Sequence, residues 1–95
     1  MKELKVFYLE TCPYCQNARR ALKELQDEDP AYAQVKTEWI EESREPEVAE
    51  AYDYYRVPSV FCCDRKLYEC DPGDGFTEIK RNLKAALDAC IGCKC

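Results

Sequence analysis

The sequence predicts an α/β domain with the element order βαβαββα, in which a four-stranded mixed sheet carries helices on both faces. Apolar runs typical of strands alternate along the 95 residues with segments whose apolar side chains recur at helical spacing. Two cysteines, Cys12 and Cys15, also lie where the first apolar run gives way to the first helical segment. A chain of this length has room for one hydrophobic core, so we expect one domain over residues 1–90 and a cysteine-containing tail at 91–95.

The first three elements predict a βαβ unit. Residues 4–9 form a nearly continuous apolar run, which is typical of a strand covered on both faces and central in its sheet. A helix is predicted over about residues 13–27, because Asp29-Pro30 then interrupts the helical pattern. The next strand alternates between apolar and polar residues from Ala33 to Trp39, and its polar face indicates an edge strand. A right-handed crossover makes these two strands parallel.

A second helix is predicted after Ser43, a candidate N-cap, with Pro46 in its first turn. One apolar face of this helix is predicted to comprise Val48, Ala51, Tyr52 and Tyr55.

A hairpin and a last helix complete the predicted order. Pro58 lies near the start of a β-branched and aromatic run, where it marks a strand entrance, a bulge or a cis bond. Residues 64–66 turn the chain into a second short run at 67–70. A loop at 71–75 precedes a helix that stops at Gly92. The apolar stripe of that helix comprises Phe76, Ile79, Leu83, Ala86, Leu87 and Cys90.

Composition excludes several classes of function. The net charge is −5 and no basic patch appears, which argues against a nucleic-acid partner. Histidine is absent, so Cys/His catalysis and an imidazole general base are excluded. No run approaches the about 20 apolar residues of a membrane span, and the first residues lack the pattern of a signal peptide. We therefore expect a cytoplasmic location with most thiols reduced and no membrane partner.

The Cys12/Cys15 pair has the context of a redox-active dithiol. Cys12 occupies the predicted N-cap, and Pro13 suits the first helical turn because it lacks an N–H that would be unpaired there. The free N–H groups of that turn favour a thiolate, the form that attacks disulfides. Cys15 follows one helical turn later and is placed to resolve a mixed disulfide on Cys12. Thr11, Pro13 and Arg19 are the candidate helix-opening and tuning residues.

The alternative for this motif is half of a zinc site. A zinc ribbon places its second cysteine pair about 15–20 residues downstream, whereas the next cysteines here are the adjacent Cys62 and Cys63. Adjacent cysteines are poor ligands for a tetrahedral site, so the spacing favours redox chemistry.

Residues 11–15, Thr-Cys-Pro-Tyr-Cys, together with Val57-Pro58 and the Gly/Asp loop at 71–75, resemble the dithiol CPYC glutaredoxins of the thioredoxin superfamily. The resemblance implies a thioredoxin-like fold with Cys12 as nucleophile and Cys15 as resolving thiol. It also implies a cis Pro58 packed against the dithiol, with the Val57 backbone pairing with glutathione or a substrate peptide. Tyr14 would flank that groove, and Gly73 and Asp74 are the nearest equivalents of the residues that hold the γ-glutamyl end.

The predicted function is a thiol–disulfide oxidoreductase that reduces protein disulfides or glutathione mixed disulfides, with glutathione as co-substrate, no bound cofactor and a monomeric chain. One alternative is an electron carrier of the same fold recharged by a flavin- or ferredoxin-linked reductase. It is favoured by Leu9, since the family usually has Lys or Arg three residues before the first cysteine. A second alternative is a thiolate protein that binds a metal or an iron–sulfur cluster, although Pro13 and the cysteine spacing count against it.

The remaining cysteines carry separate expectations. Cys62 and Cys63 are expected to be buried core residues, because they end an apolar strand. Cys70 precedes the loop near the site and is a candidate auxiliary thiol. Three hypotheses stay open for Cys90, Cys93 and Cys95, namely an inert tail, a weak metal site or a redox relay. We expect truncation after Ala89 to leave the fold largely intact.

Overall fold

The computed structural model describes residues 3–92 and confirms the predicted order of strands and helices, with one short helix added. The strands are β1 (Glu3–Tyr8), β2 (Lys36–Glu41), β3 (Ser59–Cys62) and β4 (Arg65–Glu69). The helices are α1 (Pro13–Glu28), α2 (Pro30–Ala33), α3 (Pro46–Glu50) and α4 (Phe76–Ile91).

The four strands form one mixed sheet in the order β2-β1-β3-β4. β1 pairs with β2 in parallel and with β3 antiparallel, and β3 pairs with β4 antiparallel. β1 is therefore central and β2 lies at an edge, as the apolar run and the one-sided polarity predicted. Because β1 is central, the loop that follows Tyr8 emerges from the middle of the sheet.

Helices cover both faces of the sheet, which confirms the predicted fold class. On one face, Leu4 and Val6 of β1 pack with Val60 against the apolar sides of α1 and α4. On the other face, Phe7, Ile40 and Phe61 form a smaller cluster under α3 and the segment after it. The Phe7 ring lies 4.9 Å from the Tyr52 ring and 4.8 Å from the Tyr54 ring, so aromatic contacts fill this thinner layer.

The start of β2 was predicted three residues too early. Residues 30–33 form α2 instead, since Pro30 occupies its first turn and the Asp29 carboxylate accepts a hydrogen bond from the Ala31 N–H at 2.9 Å. This cap satisfies a helix-end donor, which the apolar alternation could not reveal.

The N-cap of α3 is Glu45 rather than Ser43. The Ser43 hydroxyl donates to the Glu41 carboxylate at 2.6 Å and is therefore unavailable as a cap. The helix ends at Glu50, and Tyr55 lies beyond it with 88% of its surface exposed. The prediction that Tyr55 belongs to a buried helix face was wrong because the chain leaves the helix one turn earlier.

The β3–β4 turn consists of Cys63 and Asp64, whose positive φ values of 56° and 62° are those of a type I′ hairpin turn, which matches the right-handed twist of the flanking strands. β4 accordingly begins at Arg65, two residues before the predicted run. Cys62 is buried as expected, but Cys63 is exposed because it lies in the turn.

A disulfide joins Cys62 at the end of β3 to Cys90 in the last turn of α4, with the two Cα atoms 5.9 Å apart. Cys90 has no exposed surface and belongs to the main core. It is therefore not a tail thiol, and as a disulfide sulfur it offers no thiolate to a metal. Truncation after Ala89 would remove Cys90 together with its disulfide, so this bond argues against the expectation that the truncation spares the fold. Cys93 and Cys95 lie outside the described residues.

Candidate active site

The backbone places Cys12 at the N-terminus of α1. Cys12 is the N-cap, with extended φ/ψ values of −84° and 121°, and Pro13 follows in the first turn. Its N–H donates to the Leu9 carbonyl and its own carbonyl accepts from the Gln16 N–H, both at 3.1 Å. The cysteine sulfur thus sits where the strand–loop–helix connection is fixed by backbone hydrogen bonds, as the sequence predicted. Thr11 precedes it on the exposed side of the loop.

The two cysteines of the motif have different surroundings. Cys12 is partly exposed, whereas only 1% of the Cys15 surface is exposed to solvent. Burial raises the pKa of the Cys15 thiol to about 12, and the neighbouring Cys12 adds to the shift. Cys15 therefore stays protonated at neutral pH, and only Cys12 is reachable from solvent.

The Val57–Pro58 peptide bond is cis, as the resemblance implied. The Cys12 sulfur lies 3.9 Å from the Val57 carbonyl oxygen, and Pro58 is fully buried behind it. The Pro58 carbonyl accepts a hydrogen bond from the Cys70 N–H at 3.0 Å. The structure thus brings Val57 and Pro58 beside the dithiol.

The loop at 71–75 reaches the same site through Tyr14. The Tyr14 hydroxyl accepts a hydrogen bond from the Gly73 N–H at 3.2 Å, and Gly73 has a φ of +95°, which favours glycine. The Asp74 carboxylate accepts from the Tyr68 hydroxyl at 2.8 Å and from the Asp71 N–H at 3.1 Å. Tyr14 and Gly73 therefore meet beside the dithiol, while the Asp74 hydrogen bonds hold the loop in shape.

In the described residues, no hydrogen bond or ion pair joins Arg19 to Cys12 or Cys15. Its guanidinium lies 4.7 Å from the centre of the Tyr8 ring and 4.6 Å from that of Trp39. These distances are typical of cation–π contacts, so Arg19 packs over the edge of the sheet.

Two carboxylates that sequence reasoning missed hold the segments around the site. Glu41 is buried, and it accepts hydrogen bonds from the Glu10 N–H at 3.0 Å and from the Ser43 N–H at 2.7 Å. The Ser43 hydroxyl also donates to it, and these hydrogen bonds lower the pKa of the Glu41 carboxyl. Glu41 thereby fixes the loop that leads to Cys12.

Glu69 anchors the segment before Val57 in the same way, through hydrogen bonds from the Tyr55 N–H at 2.8 Å and the Arg56 N–H at 2.7 Å. The Arg56 side chain pairs with Asp71 at 3.3 Å across the site. No local pattern in the sequence marks Glu41 or Glu69, because both act on segments far from them along the chain.

Cys70 is a third free thiol near the pair. It is 2% exposed, burial raises its pKa, and the charges of Asp74 and Cys12 raise it further. The sequence suggested an auxiliary thiol here from the position of Cys70 before the loop, and the structure places it against the cis-proline.

Within residues 3–92, no three His, Cys, Asp or Glu side chains are grouped in a way that could hold a metal ion. The absence of a metal therefore stays a prediction for the chain as a whole. No helix in the described part of the chain has the length and hydropathy needed to cross a membrane.

Comparison with known proteins gives a family and a fold. The glutaredoxin family model matches residues 4–67. A solved structure described as the structure of a malarial protein superposes with a TM-score of 0.63 at 12% sequence identity, covering 88% of this chain and 94% of the other. That likeness concerns the fold. No curated protein matches the sequence significantly.

Proposed function

The chain belongs to the glutaredoxin family, and from that premise we propose that it reduces protein disulfides or glutathione mixed disulfides through Cys12 and Cys15. One observation carries the proposal. The partly exposed Cys12 sulfur lies at the start of α1 and 3.9 Å from the Val57 carbonyl, while the resolving Cys15 is buried one turn behind it. A substrate disulfide in solvent therefore reaches the Cys12 thiol first, because the Cys15 thiol is buried.

In the first step the Cys12 thiolate attacks one sulfur of the substrate disulfide. The Cys12–substrate S–S bond forms as the substrate S–S bond breaks, and the departing thiolate takes up a proton from solvent. The position of Val57 supports this step, because an extended substrate backbone beside Val57 would lie against Cys12.

In the second step Cys15 gives up its proton and attacks the Cys12 sulfur, which releases the second substrate thiol and leaves a Cys12–Cys15 disulfide. Two electrons pass to the substrate in total, and two protons complete its thiols. Because burial raises the pKa of Cys15 to about 12, this thiol must lose its proton as it attacks. We propose that the raised pKa keeps Cys15 protonated, so that Cys12 makes the first attack on the substrate disulfide.

Glutathione is the proposed reductant, with two molecules returning the disulfide to the dithiol. Gly73 and Asp74 belong to the loop beside the dithiol, and Tyr14 contacts this loop. Arg56, next to Val57, supplies a cation that is paired with Asp71. The proposal places the reaction in the cytoplasm, where glutathione keeps thiols reduced, and on a monomer.

A second candidate is a carrier recharged by a flavin- or ferredoxin-linked reductase. Leu9 favours it, because an apolar side chain occupies the position where the family usually has a cation for a glutathione carboxylate. Turnover of one disulfide substrate with glutathione or with a thioredoxin-reductase system, on metal-free protein, distinguishes the two candidates.

The proposed chemistry is tested with Cys12→Ser and Cys15→Ser variants on a peptide disulfide. We expect Cys12→Ser to abolish reduction and Cys15→Ser to accumulate a covalent peptide adduct on Cys12, detected by intact mass and lost with reductant. Cys70→Ser serves as a matched control at a free, buried thiol that the two steps do not use. An adduct on Cys15, or reduction by Cys12→Ser, would overturn the assignment.

A further inference from the structure

The fold forms a cationic groove along α1, which the sequence did not reveal as a basic patch, on a chain whose net charge is −5. Its volume is about 520 Å³, and its walls include Gln16, Arg19, Lys23 and Trp39. Positions 12, 16, 19, 23 and 26 follow the three- and four-residue spacing of one helix face. The groove therefore begins one turn after Cys12 and runs away from it along the helix.

The cations of this groove lack carboxylate partners. Elsewhere in residues 3–92 every lysine is paired with a carboxylate, whereas Lys23 makes no ion pair. Arg19 and Arg20 are likewise without ion pairs in the described part of the chain, and they pack over aromatic rings instead. These charges are therefore available to an external anion, and on an acidic protein they form a local attractive field.

The length of the groove indicates what kind of anion fits. Lys23 is 11 residues from Cys12, which corresponds to about 16 Å along a helix. A tripeptide spans at most about 10 Å, so one bound at Cys12 does not reach Lys23, whereas an extended polypeptide reaches it in about five residues.

We propose that the groove formed by Gln16, Arg19, Arg20, Lys23 and Trp39 docks an acidic segment of the protein substrate, about three to five residues from the cysteine that Cys12 attacks. Arg19, held over the Tyr8 and Trp39 rings, offers a preorganised cation at the near end, and Lys23 offers a flexible one further along. The inference rests on the proposed function, because the docked segment is positioned relative to the attacked disulfide.

The test uses two peptides that each carry one cysteine as a mixed disulfide with mercaptoethanol. Both peptides extend six residues on either side of the cysteine. The Glu peptide has Glu at the third to fifth positions counted from the cysteine, and the Gln peptide has Gln at the same positions. At low salt we expect the reduced protein to consume the Glu peptide about three to ten times faster, as one or two exposed ion pairs allow. We expect salt to remove most of the difference.

Two charge-matched variants locate the effect. Lys23→Glu is expected to abolish the preference for the Glu peptide, with Lys23→Gln intermediate. Arg65→Glu changes the net charge equally but lies at the hairpin, at the other end of the sheet from Cys12, and should preserve the preference. Equal rates for both peptides, or equal losses in Lys23→Glu and Arg65→Glu, would overturn the proposed groove.

Binding without reaction separates this inference from the proposed function. The chain has a single tryptophan, Trp39, which lies in the groove wall and reports occupancy by its fluorescence. The Glu peptide with Ser in place of cysteine is expected to change that fluorescence, and the Gln peptide much less. A fluorescence change without reduction of either peptide disulfide would refute the oxidoreductase function but not the groove. Equal reduction of the two peptides without a fluorescence change would refute the docking groove but not the oxidoreductase function.

Discussion

Cys12 and Cys15 are the same residue type three positions apart, yet they differ in burial. Cys12 caps α1 at the surface, and Cys15 faces the core beneath it with 1% of its surface exposed. A buried thiolate loses its hydration, so the protonated form of Cys15 is favoured. The proposed roles, attack by Cys12 and resolution by Cys15, rest on this difference in burial.

The Cys15 thiol is expected to resist alkylation until the pH is strongly alkaline. In the Cys12→Ser variant, which keeps the burial of Cys15 but loses the contribution of Cys12, iodoacetamide labelling of Cys15 should rise about tenfold per pH unit and continue to rise above pH 9. Peptide mapping by mass spectrometry measures the rate, and a free cysteine peptide, which levels off above its pKa of about 8.5, is the reference. A plateau for Cys15 near pH 9 would contradict the role assigned to burial.

Glu41 gives a stability prediction with a defined sign. Its pKa is lowered in the folded protein, mainly by the Ser43 hydroxyl, so its contribution is present above the unfolded value of 4.5 and is lost as the pH falls. We expect Glu41→Gln to lower the urea midpoint at pH 7. Below pH 4.5, the stability of this variant should fall less steeply with pH than that of the native protein. The exposed Glu50→Gln is the control, and an equal effect there would refute a special role for Glu41.

At the scale of elements, α1 serves both the chemistry and the proposed docking. Its N-terminus positions Cys12, its buried side packs against the sheet and α4, and its exposed side carries the cationic groove. β1 delivers the chain to this helix from the centre of the sheet, so the end of β1 and the first turn of α1 form a single unit.

Leu9, in the connection between β1 and α1, is where we expect a gain in glutathione affinity. A lysine there would place a cation at the position where the family usually has one, and an exposed charge contact contributes at most about 1 kcal/mol. Leu9→Lys should therefore tighten glutathione binding several-fold in a calorimetric titration of the Cys12→Ser protein. Leu9→Gln, polar but uncharged, should not, and equal behaviour of the two variants would show that charge is not what is missing.

For the whole molecule, the Cys62–Cys90 disulfide links the hairpin to the end of α4 across the core. It closes a sequence separation of 28 residues, which restricts the unfolded chain. Cys90 also packs in the core, so this residue contributes to stability through both the disulfide and its buried side chain.

Replacing both cysteines by alanine is expected to lower the free energy of unfolding by about 2–4 kcal/mol, the range typical of a native disulfide. Urea denaturation followed by circular dichroism measures the loss, and reductant should destabilise the native protein without affecting the double variant. The exposed Ala89→Ser, one residue before Cys90, should change little. Full stability of the double variant would show that the bond contributes nothing to the fold.

Local patterns were enough to predict the order of the elements and the position of the dithiol. The apolar run before Glu10 predicted a central β1, and the helical spacing after Pro13 predicted α1, because each signal lies within a few residues of its effect. Where local signals compete, as at Ser43 or residues 30–33, the boundaries were wrong, because a partner elsewhere or an unrecognised cap set them.

The family resemblance implied that Pro58 packs against the dithiol, but the other contacts between distant segments could not be predicted from the sequence. Eight cysteines allow 105 complete pairings, so the Cys62–Cys90 bond could not be chosen before β3 and α4 were placed side by side. Two hydrogen bonds depend on packing in the same way. One joins the Glu10 N–H to the Glu41 carboxylate, and the other joins the Cys70 N–H to the Pro58 carbonyl. Periodicity encodes which side of an element is buried, whereas the identity of the neighbour that buries it is set only when all the elements pack together.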